Sequence, residues 1–299
     1  MKKIIECVPN FSASDEKIVK ALARCFEKRK VLVGYESDID HNRAVITSAG
    51  NPKAVIKALV EAVGVAVKHI DLTKHKGAHP RMGAIDVIPF APIKNITLEE
   101  AVTISKKAAK KISKKYGIPI FLYARSATSA NRVQLSEIRR GGFEGMAEKM
   151  KQPEWKPDFG PSAPHKTAGA TACGARDFLV AFNINLDTND LSIAKSIASK
   201  IRESNGGIKG LKALGLELKS QNLVQVSMNI TDVCAVSFYE IYNTVKELAA
   251  SYGVQIKNSE LVGYAPMRIL ASTIKEAVKL DNFDVHKALE YEFWDKKIL

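Results

Sequence analysis

Short apolar runs alternate with longer amphipathic patterns along the first half of the chain. Runs of strand length occupy residues 3–8, 31–35, 44–48, 85–90 and 118–123. Between them, apolar residues recur at helical spacing after Asp15 and from Asn51 to about His69, and Thr97 with Glu100 forms a capping box for a third helix. This order predicts an α/β fold with buried strands.

The second half of the chain repeats this order. It predicts strands at 178–184 and 224–230, helices at 193–201 and 238–250, a last helix from Pro266, and loops at 206–210 and 209–218. Two halves of similar layout predict two subdomains, residues 1–177 and 178–299. The proline- and glycine-rich stretch 153–174 precedes this boundary, and a stretch of that length without a clear helix or strand is typical of a functional loop.

Composition excludes several classes of protein. Apolar residues make up 46% of the 299 residues and charged residues 26%, which are the values of a globular protein. No apolar run reaches the ~20 residues of a membrane helix, and residues 1–9 do not resemble a signal peptide. The four cysteines contain no CxxC pair, so we expect no disulfide framework, no structural zinc site and a cytoplasmic location.

The positive charge is confined to one part of the chain. Residues 1–178 carry 31 Lys and Arg against 18 Asp and Glu, and the remainder carries 14 of each, so the net charge of +13 belongs to the first part. Such a field favours an anionic partner. Six lysines on the predicted third helix form either a solvated face or a docking surface for a polyanion: Lys106, Lys107, Lys110, Lys111, Lys114 and Lys115. Nucleic acid is disfavoured because no aromatic residues are interleaved with these cations.

The densest polar segment, residues 74–83, contains two histidines, His75 and His79, with three cations and two glycines. Histidines four apart could bind zinc on a helix, but Gly77 and Pro80 disfavour a helix and no HExxH glutamate is present, so no metal site is predicted. A histidine held in a loop suits general acid–base catalysis, because imidazole titrates near neutrality. The alternative is a surface loop with solvated lysines.

Two further polar segments carry candidate chemistry. Residues 38–43 place Asp38 and Asp40 beside His41, where the carboxylates could orient a base or bind a cation, and the alternative is an ordinary polar turn. Residues 158–171 have the composition of a flexible wall around a ligand, and the alternative is a linker without ligand contact.

Taken together, these segments resemble the glutamate formimidoyltransferase family, and the resemblance covers nearly the whole chain. It rests on residues 6–12, 41–43, 75–77, 79–84, 138–141, 157–161, 169–171, 174–176, 182–186, 225–229 and 261–263. Ala78 and Gly142 depart from the family's usual pattern, in which acidic residues are common at both places. These departures concern the identity of the donor more than the folate site.

The resemblance implies an α/β (α+β) fold of two ferredoxin-like subdomains with mixed sheets and a ligand groove between them. It implies transfer of a formimidoyl group from N-formimidoyl-L-glutamate to tetrahydrofolate as co-substrate, in histidine degradation. It also implies that His79 is the catalytic residue and that the protein is a homodimer. The family's folate-contacting stretch matches ten residues: Gly160, Pro161, Ser162, Ala163, Pro164, His165, Lys166, Thr167, Ala168 and Gly169.

The residue types add hypotheses about individual roles. His79 would be the proton shuttle, and Glu36, Asp38 or Asp40 would orient or polarise it. Guanidinium groups bind carboxylates in a bidentate manner, so the candidate substrate-binding residues are Glu36, His41, Asn42, Arg43, Arg81 and Arg176. The basic first half suits a polyglutamylated folate, and the chemistry needs no metal or redox cofactor. Two alternatives stay open, formyl transfer between 5-formyltetrahydrofolate and glutamate, and a non-catalytic folate- or RNA-binding protein.

Overall fold

The computed structural model describes residues 2–77 and 79–288, so Ala78 lies outside the described residues. Contacts within the chain divide it into two compact units, residues 1–177 and 178–299. Within the described part of the chain, no helix is both long and apolar enough to cross a membrane.

The first unit is built on a seven-stranded sheet. Its strands are β1 (Ile4–Cys7), β2 (Asn10–Phe11), β3 (Leu32–Asp38), β4 (Arg43–Gly50), β5 (Ile85–Lys94), β6 (Ile120–Leu122) and β7 (Thr171–Ala175). Strands β1 and β2 are two pieces of one line between β4 and β5, interrupted at Val8 and Pro9. The spatial order is therefore β3-β4-β1/β2-β5-β7-β6, in which β5, β7 and β6 are parallel and the other pairings are antiparallel.

Three capped helices form the large hydrophobic core of this unit with the sheet: α1 (Glu16–Glu27), α2 (Pro52–His69) and α3 (Leu98–Tyr116). Asp15 and Asn51 accept backbone N–H groups at the starts of α1 and α2, and the predicted capping box of Thr97 and Glu100 is present. The core includes Phe11, Leu22, Phe26, Leu59, Ile88, Phe90 and Ile112. One face of the sheet is thereby covered by helices. Polar side chains that could bind a ligand are therefore expected on the other face.

The opposite face carries a smaller core and a row of polar side chains. Helices α4 (Leu135–Arg139) and α5 (Gly142–Lys149) pack there over β5, β7 and β6, with Ile138, Met146 and Met150 against Val87 and Phe121. Side chains alternate along a strand, so the neighbours of core residues point to this face. Arg43 on β4 and Glu6 on β1 are two such residues, because Ile46 and Cys7 belong to the large core.

The second unit is an antiparallel four-stranded sheet with its helices on one side. Strands β8 (Val180–Leu186), β9 (Leu211–Leu218), β10 (Leu223–Ile230) and β11 (Ile256–Val262) lie in the order β11-β8-β10-β9. Helices α6 (Leu191–Ile201), α7 (Phe238–Ser251) and α8 (Met267–Ala277) contribute to its core.

Both units contain the ferredoxin-like arrangement, so the predicted fold class is confirmed. Numbered within each βαββαβ repeat, the strands lie in the order 4-1-3-2, and only the first unit extends this order with two parallel strands and is mixed. The prediction of a loop at 209–218 is wrong, because residues 211–218 form β9. Gly215 lets this strand lie against α6, since a Cβ there would be 2.4 Å from the backbone nitrogen of Lys195.

The stretch 153–174 is also more structured than its composition suggests. It begins with a 3-10 turn at Pro153–Trp155 and ends in β7, whose five residues, Thr171–Ala175, are all buried. The side chains of β7 are small because the large core packs against one face of the strand and the smaller core against the other. Residues 156–170 between these elements form the long loop.

Candidate active site

The loop between α2 and β5, residues 70–84, carries His75 and His79 and is tied to the end of the long loop. The backbone of Leu72 donates to the carbonyl of Thr167 at 2.9 Å, and that of Ala84 donates to the carbonyl of Ala168 at 3.0 Å. The two candidate segments, 74–83 and 160–169, are therefore neighbours in the fold.

His79 is half-buried and is held through one ring nitrogen. Its Nδ1 lies 2.7 Å from the carbonyl oxygen of Pro80 and 3.0 Å from Nη1 of Arg43. With its proton on Nδ1 the ring donates to the Pro80 carbonyl and leaves Nε2 unprotonated; Nη1 of Arg43, which donates to Asp86, then lies beside Nδ1 without donating to it. Burial, followed by the positive charges of Arg43 and Arg139, lowers the pKa of His79 to about 3. We infer that the imidazole is neutral near pH 7, with Nε2 free to accept a proton.

A buried carboxylate organises the cations around His79. Asp86 is fully buried; its Oδ2 accepts from Nη1 of Arg43 at 3.0 Å and also contacts Nη2 of Arg139, and its Oδ1 accepts from the backbone of Met82 at 3.0 Å. Burial alone would raise the pKa of Asp86, but the charges of Arg139 and Arg43 outweigh it and hold the pKa below its usual value. The carboxylate is therefore ionised between two guanidinium groups.

Arg43 is fixed by two partners besides His79. Its Nε and Nη2 donate to Oδ1 of Asn10 at 3.1 and 2.7 Å, and its Nη1 donates to Asp86. Burial lowers the pKa of Arg43 to about 10, against the opposing effect of Asp86, so the guanidinium stays charged at neutral pH. This fixed charge next to the ring is one reason why His79 resists protonation.

A second histidine meets His79 edge-on. The ring centroids of His41 and His79 are 6.1 Å apart. Asp38 accepts from the backbone of His41 at 2.7 Å and lies 3.0 Å from its Nδ1. The hydrogen bond with Asp38 raises the pKa of His41 and, in return, lowers the pKa of Asp38. The structure therefore places Asp38 against His41, whereas Asp86 is the carboxylate that lies next to the His79 cluster.

The other predicted residues near β3 lie along that strand and in the turn after it. Glu36 is an exposed residue of β3 opposite Val45, and Asp40 lies in the turn before β4. Asn42 joins three segments, since its side chain accepts from Ser14 at 3.0 Å and donates to the carbonyl of Lys76 at 2.8 Å. Asn42 therefore shapes the site by linking loops.

Arg81 and His75 form a separate structural group. Arg81 makes a bidentate ion pair with Glu144 at 3.0 and 2.7 Å, and its Nε donates to Nδ1 of His75 at 3.1 Å. Nε2 of His75 lies 3.0 Å from the carbonyl of Asn42, which it meets as a donor once Nδ1 accepts. Protein partners thus already occupy most of the hydrogen-bond donors of Arg81.

Residues 160–169 line the same end of the sheet as His79. Residues 160–163 and Lys166 are exposed, whereas Ala168 and Gly169 are buried. The loop is anchored before this segment by Asp158, which accepts from Leu122 N at 2.7 Å and Arg132 at 2.8 Å. At the other end, His165 and Gly169 exchange two backbone hydrogen bonds of 2.9 Å. The segment is a firmly attached loop with an exposed tip.

Gly83 allows the histidine loop to lie against this segment. A Cβ at Gly83 would lie 2.0 Å from the carbonyl oxygen of Ala170. We expect Gly83→Ala to lower the free energy of unfolding by about 1–3 kcal/mol through overpacking, measured by urea denaturation. Gly145→Ala on α5 is the matched control, because nothing lies within 4 Å of that Cβ. Equal stability of the two variants would contradict the prediction.

Arg176 is set apart from the His79 cluster. It follows β7, and its backbone donates to the carbonyl of Phe90 at 2.9 Å, near the far end of β5. The lysines of the third helix lie on α3 and are exposed, and α3 packs on the face of the sheet opposite to His79. The stripe is therefore remote from the histidine, and its binding of a polyanion stays a prediction.

Sequence reasoning missed three members of the cluster: Asn10, Asp86 and Arg139. Asp86 had a detectable signal, because it is the one charged residue in the apolar run 85–90. Arg139 and Asn10 lie in segments that carry the family resemblance, but neither segment contains a residue type that predicts catalysis. In the described residues, no group of three or more His, Cys, Asp or Glu side chains could hold a metal ion.

Comparisons with known proteins identify the family. The family model for the formiminotransferase domain, N-terminal subdomain, matches residues 4–176, and that for the formiminotransferase domain matches residues 181–287. The chain is 44% identical to glutamate formimidoyltransferase of Streptococcus pyogenes, over 97% of this chain and 98% of the relative. It is 40% identical to glutamate formimidoyltransferase of Thermoplasma acidophilum, over 96% of each. It is 37% identical to formimidoyltransferase-cyclodeaminase of Sus scrofa, over 90% of this chain and 51% of that protein. The resemblance found in the sequence is confirmed, and the chain belongs to the formiminotransferase family.

Proposed function

We propose that this protein transfers the formimidoyl group of N-formimidoyl-L-glutamate to N5 of tetrahydrofolate, which gives 5-formimidoyltetrahydrofolate and L-glutamate. The observation that carries the proposal is the placement of His79, whose Nδ1 lies 2.7 Å from the Pro80 carbonyl oxygen and 3.0 Å from Nη1 of Arg43. Membership of the formiminotransferase family supports the same reaction. Relatives matched over nearly their whole length carry the corresponding name.

The reaction exchanges one carbon–nitrogen bond for another. N5 of tetrahydrofolate attacks the formimidoyl carbon, which its amidinium charge activates, and a tetrahedral intermediate forms. Nε2 of His79 takes the proton from the positively charged N5 and returns it to the departing glutamate nitrogen, whose bond to carbon then breaks. No electrons are gained or lost, so the transfer needs no redox cofactor.

A strongly depressed pKa suits this shuttle. The intermediate's N5–H is an acidic ammonium-type proton, so even a weak base can accept it. The resulting imidazolium lies beside Arg43 and Arg139, which disfavour it, so it gives the proton up readily to the more basic leaving nitrogen. The two cations therefore favour transfer of the proton from the imidazolium to the leaving nitrogen, and they disfavour accumulation of the imidazolium.

The same cations offer a place for a carboxylate of N-formimidoyl-L-glutamate. Nε of Arg139 is buried and has no hydrogen-bond partner among the described residues. Arg139 reaches Asp86 through Nη2 only, so further N–H groups of its fork can donate to a ligand. We assign donor binding to Arg139 and Arg43, and folate contacts to the exposed tip at 160–166. Arg81, which Glu144 and His75 already engage, would act by holding the loop.

The direct test is formimidoyl transfer by the purified protein. N-formimidoyl-L-glutamate and tetrahydrofolate are supplied, and the product is followed by its absorbance after acid conversion to the methenyl form. Turnover supports the proposal. Turnover with 5-formyltetrahydrofolate and glutamate alone would replace it with formyl transfer, and folate binding without either reaction would replace it with a binding role.

The environment of His79 makes a specific prediction about pH. Because its pKa is about 3, the neutral reactive form persists as the pH falls to about 5, well below the ordinary imidazole value of about 6.5. In Arg43→Gln a positive neighbour is removed, so we expect the pKa of His79 to rise, while burial and the charge of Arg139 still hold it below its ordinary value. The measurement is an NMR titration of the histidine ring protons, assigned with a His79→Gln variant.

Arg81→Gln is the control for this titration, since the side chain of Arg81 pairs with Glu144 and His75. His41, whose pKa is raised by Asp38, titrates in the same spectra at higher pH and is an internal reference. A wild-type His79 that titrates near 6.5 would show that neither burial nor the charges of Arg43 and Arg139 lower its pKa, and would contradict the prediction.

A further inference from the structure

A second group of ionisable residues lies on the same face of the first unit's sheet, at the other end of β5. It consists of Glu6, Tyr123 and Arg176. The positive charge of Arg176 acts on both Tyr123 and Glu6, and it lowers the pKa of each against the larger, raising effect of burial. Arg176 is also placed by its backbone bond to Phe90 and by donation from Nη1 to the carbonyl of Asp177 at 2.9 Å. The mechanism above uses none of these three residues.

Strand geometry connects this group to the His79 cluster. Glu6 points to the open face because its neighbours Ile5 and Cys7 belong to the core under α1–α3, and Arg176 does so because Ala175 belongs to that core. Asp86 and Phe90 are four residues apart on β5, which is about 13 Å at ~3.3 Å per residue. The backbone of Arg176 bonds to that of Phe90, so the backbone positions that anchor the two groups lie about this distance apart.

Tyr123 links the two groups. It is buried in the smaller core, between α4 and the sheet. The charges of both Arg176 and Arg139 act on its hydroxyl, and Arg139 in turn contacts Asp86. The face therefore carries a guanidinium group near each end, and the buried side chain of Tyr123 lies within the electrostatic influence of both.

We propose that Arg176 holds the glutamate carboxylate of tetrahydrofolate while N5 lies at His79. The proposal rests on the proposed function and assigns the far end of its folate site. Tetrahydrofolate has about eleven bonds between N5 and the α-carboxylate of its glutamate, and an extended chain gains ~1.2 Å per bond, so the two are about 13 Å apart. This length matches the separation of the two groups on the sheet.

The donor's own carboxylates do not fit this place. In N-formimidoyl-L-glutamate both carboxylates lie within about five bonds of the formimidoyl carbon, so they reach no further than about 6 Å. Carboxylates at that distance meet Arg43 and Arg139. The near guanidinium groups, Arg43 and Arg139, are thus assigned to N-formimidoyl-L-glutamate. The far one, Arg176, is assigned to tetrahydrofolate.

Glu6 acts here as a positioning residue. Its carboxyl group lies on the same face beside Arg176, and it offsets the guanidinium charge when no ligand is bound. The neutral ring and apolar linker of a folate would cross the segment of sheet between the two groups, where Val8 and Val45 are half-buried. A charged group at each end and apolar residues between them suit an elongated amphipathic ligand.

The test compares tetrahydrofolate with its diamide, in which both glutamate carboxylates are carboxamides. For tetrahydrofolate, Arg176→Gln should raise KM and Kd by about 10- to 100-fold, as expected for loss of a charge-assisted hydrogen bond, with kcat within about twofold. For the diamide, wild type and variant should bind equally, because the charge that Arg176 recognises is absent. Arg24→Gln, on the exposed face of α1, is the matched control.

Each outcome decides the assignment. Loss of affinity for tetrahydrofolate alone supports it. Equal losses with both ligands would make Arg176 a structural residue, and no loss with either would place the glutamate elsewhere; both overturn the proposal. Kd is measured by fluorescence titration as well as from kinetics. Wild-type protein that binds tetrahydrofolate without turnover would therefore count against the proposed function and leave this assignment testable.

Discussion

Replacing His79 with glutamine lowers kcat for formimidoyl transfer by about 10²- to 10⁴-fold, which is the usual contribution of a positioned general base and acid. Glutamine keeps a polar side chain of similar length beside Pro80 and Arg43, but it cannot carry a proton between N5 and the departing glutamate nitrogen. The Kd for tetrahydrofolate should stay within about threefold of wild type, because folate contacts are assigned to other residues. Steady-state kinetics and fluorescence titration measure the two quantities separately.

The matched control for this variant is His69→Gln. His69 is an exposed residue in the last turn of α2. Its replacement therefore makes the same change of side chain outside the candidate site. Full activity of His79→Gln would move the proton shuttle to another group, and His41, at 6.1 Å between ring centroids, would be the next residue to replace. A loss of folate binding equal to the loss of rate would instead make His79 a binding residue.

Much of the fold follows from local signals in the sequence. The helix predicted from Asn51 to about His69 is α2, and the capping box at Thr97 and Glu100 begins α3 as predicted. These elements are long and strongly periodic, and their caps are formed by nearby residues. The strands β7 and β9 were missed because they contain glycines and small residues, which are not typical of strands. Elements packed closely against these positions in the fold leave no room for larger side chains.

The site was predictable only in part, for the same reason. The two segments that contain histidines, residues 38–43 and 74–83, stand out in the sequence because each is dense in ionisable residues. The carboxylate that organises them does not, since Asp86 lies inside an apolar strand and its partners Arg43 and Arg139 are 43 and 53 residues away. The prediction that a carboxylate from 36–40 serves His79 stays a prediction, with Asp38 placed to act through His41.

Removing the Asp86 carboxylate should have the largest effect on stability of any single change at the site. In Asp86→Ala the guanidinium groups of Arg43 and Arg139 face each other without the anion between them, and the backbone N–H of Met82 loses its acceptor. Breaking a buried ion pair in this way costs about 3–5 kcal/mol of unfolding free energy. Urea denaturation measures this loss. The surface variant Glu16→Gln, whose pair with Lys20 is exposed, should leave the unfolding free energy close to that of wild type.

The pH dependence of stability gives a second, independent test of Asp86. Its pKa is lower in the folded protein than in the unfolded chain, so its stabilising contribution is complete above the unfolded value of about 3.9 and is lost as the pH falls through the folded value. The difference in unfolding free energy between wild type and Asp86→Ala should therefore be constant from about pH 5 to 8 and shrink in acid. A difference that grows in acid would contradict the assignment of an ionised carboxylate.

A triple replacement separates the structural role of this cluster from its chemical role. Asp86→Leu combined with Arg43→Met and Arg139→Met removes all three charges together, and buried ionic groups replaced by apolar side chains of similar volume often lose little stability or gain some. We expect the triple variant to recover most of the unfolding free energy lost in Asp86→Ala. It should nevertheless stay at least about 10²-fold below wild type in kcat/KM, because the donor's carboxylate then has no guanidinium to bind and the imidazole lacks the charges that make it return its proton. If the triple variant regains activity together with stability, the cations serve only to hold the fold, and the proton shuttle must work without them.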